Sequence, residues 1–155
     1  VRSMKKVDVT EENAKSAYNG ADEKGKQLLK ELFKGKVNFD EKITDRVKTF
    51  QDACAIIKPH KDRMPHAYDS KDEAAYKKLK IIVEALNEGW KPNMKDSNQR
   101  KYWPYFNIEN GFSFDDVHCN SSNAIVGSRL YLKSDEFARY AGQHFIEIYE
   151  EYHTA

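Results

Sequence analysis

Asn110 and Gly111 lie between two aromatic-rich runs, YWPYFNI at 102–108 and FSF at 112–114, and residue parity there restricts the fold more than any other segment. A two-residue loop would pair Ile108 with Ser113 and Phe106 with Asp115, setting apolar groups beside polar ones on one face. A three-residue loop of Glu109, Asn110 and Gly111 instead pairs Ile108 with Phe112 and Phe106 with Phe114, and puts Gly111 at the left-handed bulge position. The second register is the one the pattern predicts. Its opposite face carries Trp103, Tyr105 and Asn107 against Ser113 and Asp115. A third strand, from about Ala124 to Leu132, would turn Val126, Leu130 and Leu132 inward and Gly127, Arg129 and Tyr131 outward. Pro104 has no N–H to donate, so its strand should lie at an edge or begin irregularly.

Two longer helices bracket this region. Ser70 with Glu73 three residues on forms a capping box, and Ala75, Leu79, Ile82, Val83 and Leu86 then recur at helical spacing as far as Gly89. Ser134, followed by Asp135 and Glu136, opens a final helix that buries Phe137, Ala141, His144, Phe145, Ile148 and Tyr152. Shorter helices are expected after Thr10, from about Asp22 to Phe33 with Gly35 as its stop, and from Thr49 to the residues before Pro59. The fold class is therefore α+β: a small antiparallel sheet of about three strands packed with two long helices, plus short N-terminal helices. Residues 1–48 read as a helical N-terminal segment and 49–155 as the α+β core.

Hydrophobic residues at 39% and charged residues at 33% describe a folded chain with a well-solvated surface. Residues 1–104 hold 23 Lys and Arg against 17 Asp and Glu, whereas the remainder holds 3 against 8. Such asymmetry arises from ordinary solvated faces or marks a site for an anionic partner. No apolar run approaches the ~18 residues needed to cross a bilayer, so no membrane partner is expected. Cys54 and Cys119 are too few for a disulfide framework at this size, and no leader pattern is visible, which points to a reducing, cytoplasmic setting.

Asp115, Asp116, His118 and Cys119 form a tight cluster of potential metal ligands, but they lack the paired Cys or His of a structural zinc site. No serine elbow and no glycine-rich phosphate loop occurs. Catalytic residues, metal ligands and cofactors are accordingly none. An enzyme built on residues 115–119 stays open as an alternative and would require a deep pocket there.

Binding chemistry is better represented. Trp90, Lys91, Arg100, Lys101, Trp103, Tyr105, Arg129 and Tyr131 interleave cations with rings. Cations can follow a phosphate backbone while rings stack on bases, at about 1–3 kcal/mol per stacked base. Against this stands the ordinary fate of sheet aromatics, which is to be covered by helices.

The run LNEGW at 86–90, followed by KYWPYFNI, GFSFDD, GSRLYLKS and EFARYAGQHF, resembles an uncharacterised family of small proteins encoded by phages and integrated mobile elements of gut bacteria. The similarity covers about residues 79–152, and SAYNGADEKGKQLLKELF and RVKTFQDAC resemble the front half of that family. The resemblance implies a cytoplasmic, phage- or prophage-associated setting and brings no activity and no catalytic residues. The combined expectation is a non-enzymatic binding protein of a phage or mobile element whose partner is left open between single-stranded nucleic acid, held on a basic and aromatic sheet face, and a host or phage protein.

Overall fold

Thr10, Asp22, Thr49, Ser70 and Ser134 each accept a hydrogen bond from the backbone N–H three residues on, and each opens a helix. This satisfies donors that a helix start otherwise leaves unpaired. Thr49 and Ser70 complete capping boxes with Asp52 and Glu73. The computed structural model describes residues 8–155, and by its contacts the chain divides into two units, one ending at Lys42 and one spanning Ile43–Ala155.

The first unit holds α1 (Glu11–Gly20) and α2 (Glu23–Leu32). Its interior is small and aromatic: Tyr18 stacks on Phe39 at 4.7 Å and Phe33 meets Phe39 edge-on. Lys15 is buried, with its Nζ 2.8 Å from both Glu11 and Glu41.

The second unit contains α3 (Ile43–Arg46), α4 (Phe50–Ile57), α5 (Lys71–Leu86), β1 (Lys101–Asn107), β2 (Ser113–Asn120), α6 (Asp135–His144) and α7 (Ile146–Thr154). α5 is its axis. Ala75, Leu79, Ile82, Val83 and Leu86 are all buried, as their spacing predicts, and Ile81 and Ala85 join them because α4 and α7 pack on different sides of the helix. Val47, Leu130, Leu132, Ala138, Ala141, Phe145 and Tyr149 complete this core. Each aliphatic side chain buried there contributes about 1.5–3 kcal/mol.

Phe106 pairs with Phe114 and Asn107 with Ser113, the register of the three-residue loop, and Gly111 takes a φ of 105°. One residue further the ladder slips. Asp115 is an extra residue, so Tyr105 faces Asp116 and Trp103 faces His118; the pairing expected with Asp115 does not form.

Among the described residues the sheet has two strands, not three. Residues 124–132 approach β1 through one bridge, in which Tyr102 and Leu132 exchange N–H···O bonds of 3.1 and 2.8 Å. Gly127 is the reason: its φ of 95° turns the chain into a 3-10 turn at Ser128–Leu130, which resets the alternation of side chains. Leu130 and Leu132 are buried as expected. Val126, expected inward, is fully exposed, and Tyr131, expected outward, is 1% exposed.

The final helix is also two helices. Phe145, at φ −108° and ψ 28°, separates α6 from α7. α6 packs on the hairpin, while α7 packs on α5 and stacks Tyr152 on Tyr76 at 5.5 Å. The two halves serve different partners, and the bend reconciles them. His144 falls on the outer side of that bend, exposed, with Nε2 2.7 Å from the Lys48 carbonyl, and not on a buried stripe.

Gly142 sets the distance between α6 and the hairpin. A Cβ there would lie 2.6 Å from Pro104 Cβ and 2.7 Å from the Phe114 ring. Alanine favours a helix over glycine by about 1 kcal/mol. Overpacking against a proline ring and a phenyl ring costs about 1–3 kcal/mol, so Gly142→Ala should lower stability overall. A reduced urea midpoint with an unchanged slope checks this.

Candidate ligand-binding cleft

Asn87 caps the C-terminus of α5 and is 3% exposed. Its Nδ2 donates to the Tyr131 carbonyl at 2.9 Å, and its Oδ1 accepts the Lys133 N–H at 3.0 Å. Both ends of one amide thereby fasten the segment after Gly127 to the end of α5. Glu88 and Gly89 then take positive φ values of 49° and 87°, turning the chain sharply as the Trp90 N–H donates to the Asn87 carbonyl at 2.9 Å. Trp90, Lys91 and Pro92 thereby share a lining with Arg129 and Tyr131. Lys80, Val83 and Glu84 of α5 belong to it as well, and Arg63 joins from a 3-10 turn at Lys61–Arg63. Together these residues line a cleft of about 450 Å³.

The lining carries four cations, Arg63, Lys80, Lys91 and Arg129, against one carboxylate, Glu84. Arg63 is paired with Glu84, and the Lys80 ammonium sits over the Tyr76 ring at 4.6 Å. Lys91 and Arg129 are exposed, and their side chains make no hydrogen bond or ion pair with the described residues. The cleft lining thus holds two cations without a side-chain partner among the described residues and a half-buried indole.

Four of the eight binding residues read from the sequence, Trp90, Lys91, Arg129 and Tyr131, meet in this cleft. Tyr131 is a wall and not a stacking platform, since it is sealed in and its hydroxyl accepts the Ile125 N–H at 2.9 Å. Lys101 is also withdrawn from any ligand: at 1% exposure its Nζ donates to the carbonyls of Gln99, Asp96 and Ser121 at 2.7, 3.0 and 3.4 Å. Those carbonyl dipoles offset the cost of burying the charge. Arg100 is exposed outside the cleft. Trp103 is half-buried, 5.5 Å from the Tyr131 ring, and Tyr105 is exposed but stacked on His118 at 4.1 Å and 7°. The open part of the sheet face is therefore the Tyr105–His118 pair. Sequence reasoning missed Arg63 and Lys80. No local motif marks either, because they meet Arg129 only through the packing of α5.

Asp115, Asp116, His118 and Cys119 are spread along exposed β2 and line neither this cleft nor the cavities beside β1. The Val117 backbone N–H and the Arg139 guanidinium hold the Asp116 carboxyl below its usual range, so it is ionised at neutral pH. Among the described residues no group of three or more His, Cys, Asp or Glu could hold a metal ion, and no helix is long and apolar enough to cross a membrane.

Asn87→Ala would leave the Tyr131 carbonyl and the Lys133 amide without their partner, at about 1–3 kcal/mol for each group that stays buried. Chemical denaturation should show a loss of that order, whereas Lys91→Ala, at an exposed position, should stay within about 0.5 kcal/mol of the parent. Compared with known protein families, curated proteins and solved structures, the chain matches none.

Proposed function

We propose that this chain is a non-enzymatic binding protein that holds single-stranded nucleic acid in the cleft between α5, Trp90 and Arg129. The observation that carries the reading is that Lys91 and Arg129, both without side-chain partners among the described residues, line the same cleft as Trp90. Phosphate oxygens take the two cations, and a base stacks on the indole. The cleft volume of about 450 Å³ falls within the roughly 300–1,000 Å³ of small-molecule sites and suits one nucleotide of a longer strand.

Base-edge readers are scarce in this cleft. Both ends of the Asn87 amide are consumed by backbone, so affinity should come from charge and stacking and tolerate different sequences. A cytoplasmic phage or mobile-element setting belongs to the proposal on the strength of the sequence resemblance. A second reading, a protein-interaction module, draws on the exposed apolar groups Ile108, Tyr105 and Val126 near the hairpin.

Anisotropy titrations of labelled single-stranded and duplex oligonucleotides at about 50 and about 200 mM salt separate the readings. The proposal expects single-strand binding that weakens with salt. Arg129→Ala should reduce the salt slope by about 0.7, and Trp90→Ala should cost about 1–3 kcal/mol at every sequence tested. Absence of binding at the lower salt would sink it, and salt-insensitive capture of a protein partner would favour the second reading.

A further inference from the structure

Glu84 is out of place in the cleft at the end of α5. Its carboxylate lines the same space as Arg63, Lys80, Lys91 and Arg129, and a negative charge there repels the phosphates that those cations attract. The side chain is 41% exposed, and Arg63 takes one of its two oxygens, Oε2. Oε1 accepts no hydrogen bond from the described residues. Other side-chain acceptors of the lining are already used: Asn87 Oδ1 takes the Lys133 N–H, and the Tyr131 hydroxyl takes the Ile125 N–H. Among the described residues, Glu84 Oε1 is therefore the lining side-chain oxygen still open to a donor.

A carboxylate only accepts, so whatever part of a ligand meets it must donate. The phosphates of a bound strand are ionised and donate nothing; they go to Lys91 and Arg129. The base stacks on Trp90. What remains is the sugar that joins them, and a ribose carries a 2′-hydroxyl donor that deoxyribose lacks. An acidic side chain on a ribose hydroxyl is how dinucleotide-binding folds hold the same sugar. Exocyclic amines donate too, but uracil has none, whereas every ribonucleotide brings the hydroxyl.

Resting on the single-strand reading of this cleft, we propose that it selects RNA over DNA, with Glu84 Oε1 accepting a hydrogen bond from the 2′-hydroxyl of the nucleotide stacked on Trp90. The selection is for sugar and not for base, as befits a cleft in which both ends of the Asn87 amide are occupied by backbone. The contact breaks no bond within the protein, because Arg63 uses the other oxygen.

Anisotropy titrations at about 50 mM salt with oligo(rU), oligo(dU) and 2′-O-methyl oligo(U) isolate the hydroxyl, since the first two differ only there. Oligo(rU) should bind about tenfold more tightly than oligo(dU), the effect of one hydrogen bond to a charged group. The 2′-O-methyl strand keeps the ribose pucker but has no donor, and should bind no better than oligo(dU). Glu84→Ala should bring the ratio of the two affinities to about one while tightening oligo(dU), because a charge that repels phosphate is gone. A substitution that merely damaged the fold would weaken both strands, and denaturation curves confirm that the variant folds. Equal binding of oligo(rU) and oligo(dU), a 2′-O-methyl strand as tight as oligo(rU), or a preference that survives Glu84→Ala would overturn the selection while single-strand binding stands. Failure of all three strands to bind would overturn both.

Discussion

The amide of Asn87 joins positions 44 and 46 residues apart in the chain, and most of what is distinctive about the second unit hangs from it. A helix end leaves carbonyls unpaired, and an extended segment leaves an unpaired ladder. One buried side chain answers a backbone donor and a backbone acceptor of residues 131–133 at once. With that segment fixed, Leu132 can bridge Tyr102 and so reach the hairpin, Leu130 and Leu132 can enter the core, and Arg129 joins Trp90 in the lining of one cleft. A cleft wall and a core wall are thus the two sides of one short segment.

Charges in this unit divide by whether the fold has already used them. Lys101 is spent on loop carbonyls and Lys133 on Glu88 at 3.0 Å, which makes them structural. Arg63 and Glu84 are about two-fifths exposed, and an exposed pair of this kind contributes only about 0–1 kcal/mol. Leaving Glu84 therefore costs Arg63 little. Lys91 and Arg129 have no side-chain partner to give up among the described residues.

Packing of the last two helices follows from a geometric conflict. Gly142 lets α6 approach Pro104 and Phe114 closely, while Tyr149 and Tyr152 require α7 to lie along α5 and reach Phe106 at 5.0 Å. A straight helix would satisfy one contact and lose the other. The turn at Phe145 keeps both.

Local features of the fold were legible in the residues themselves. Caps at Thr10, Thr49, Ser70 and Ser134 and the Phe106–Phe114 pairing each depend on groups only a few residues apart, so spacing alone reveals them. The buried stripe of α5 was legible for the same reason. Tertiary structure decided the rest. A bulge at Asp115, a left-handed Gly127 and a bend at Phe145 each interrupt a periodicity that sequence reading must assume continuous, and that is why Tyr131 lies inside and Val126 outside. The meeting of Arg63, Lys80 and Arg129 had no local sign, because nothing but the packing of distant elements against α5 brings those charges to one place.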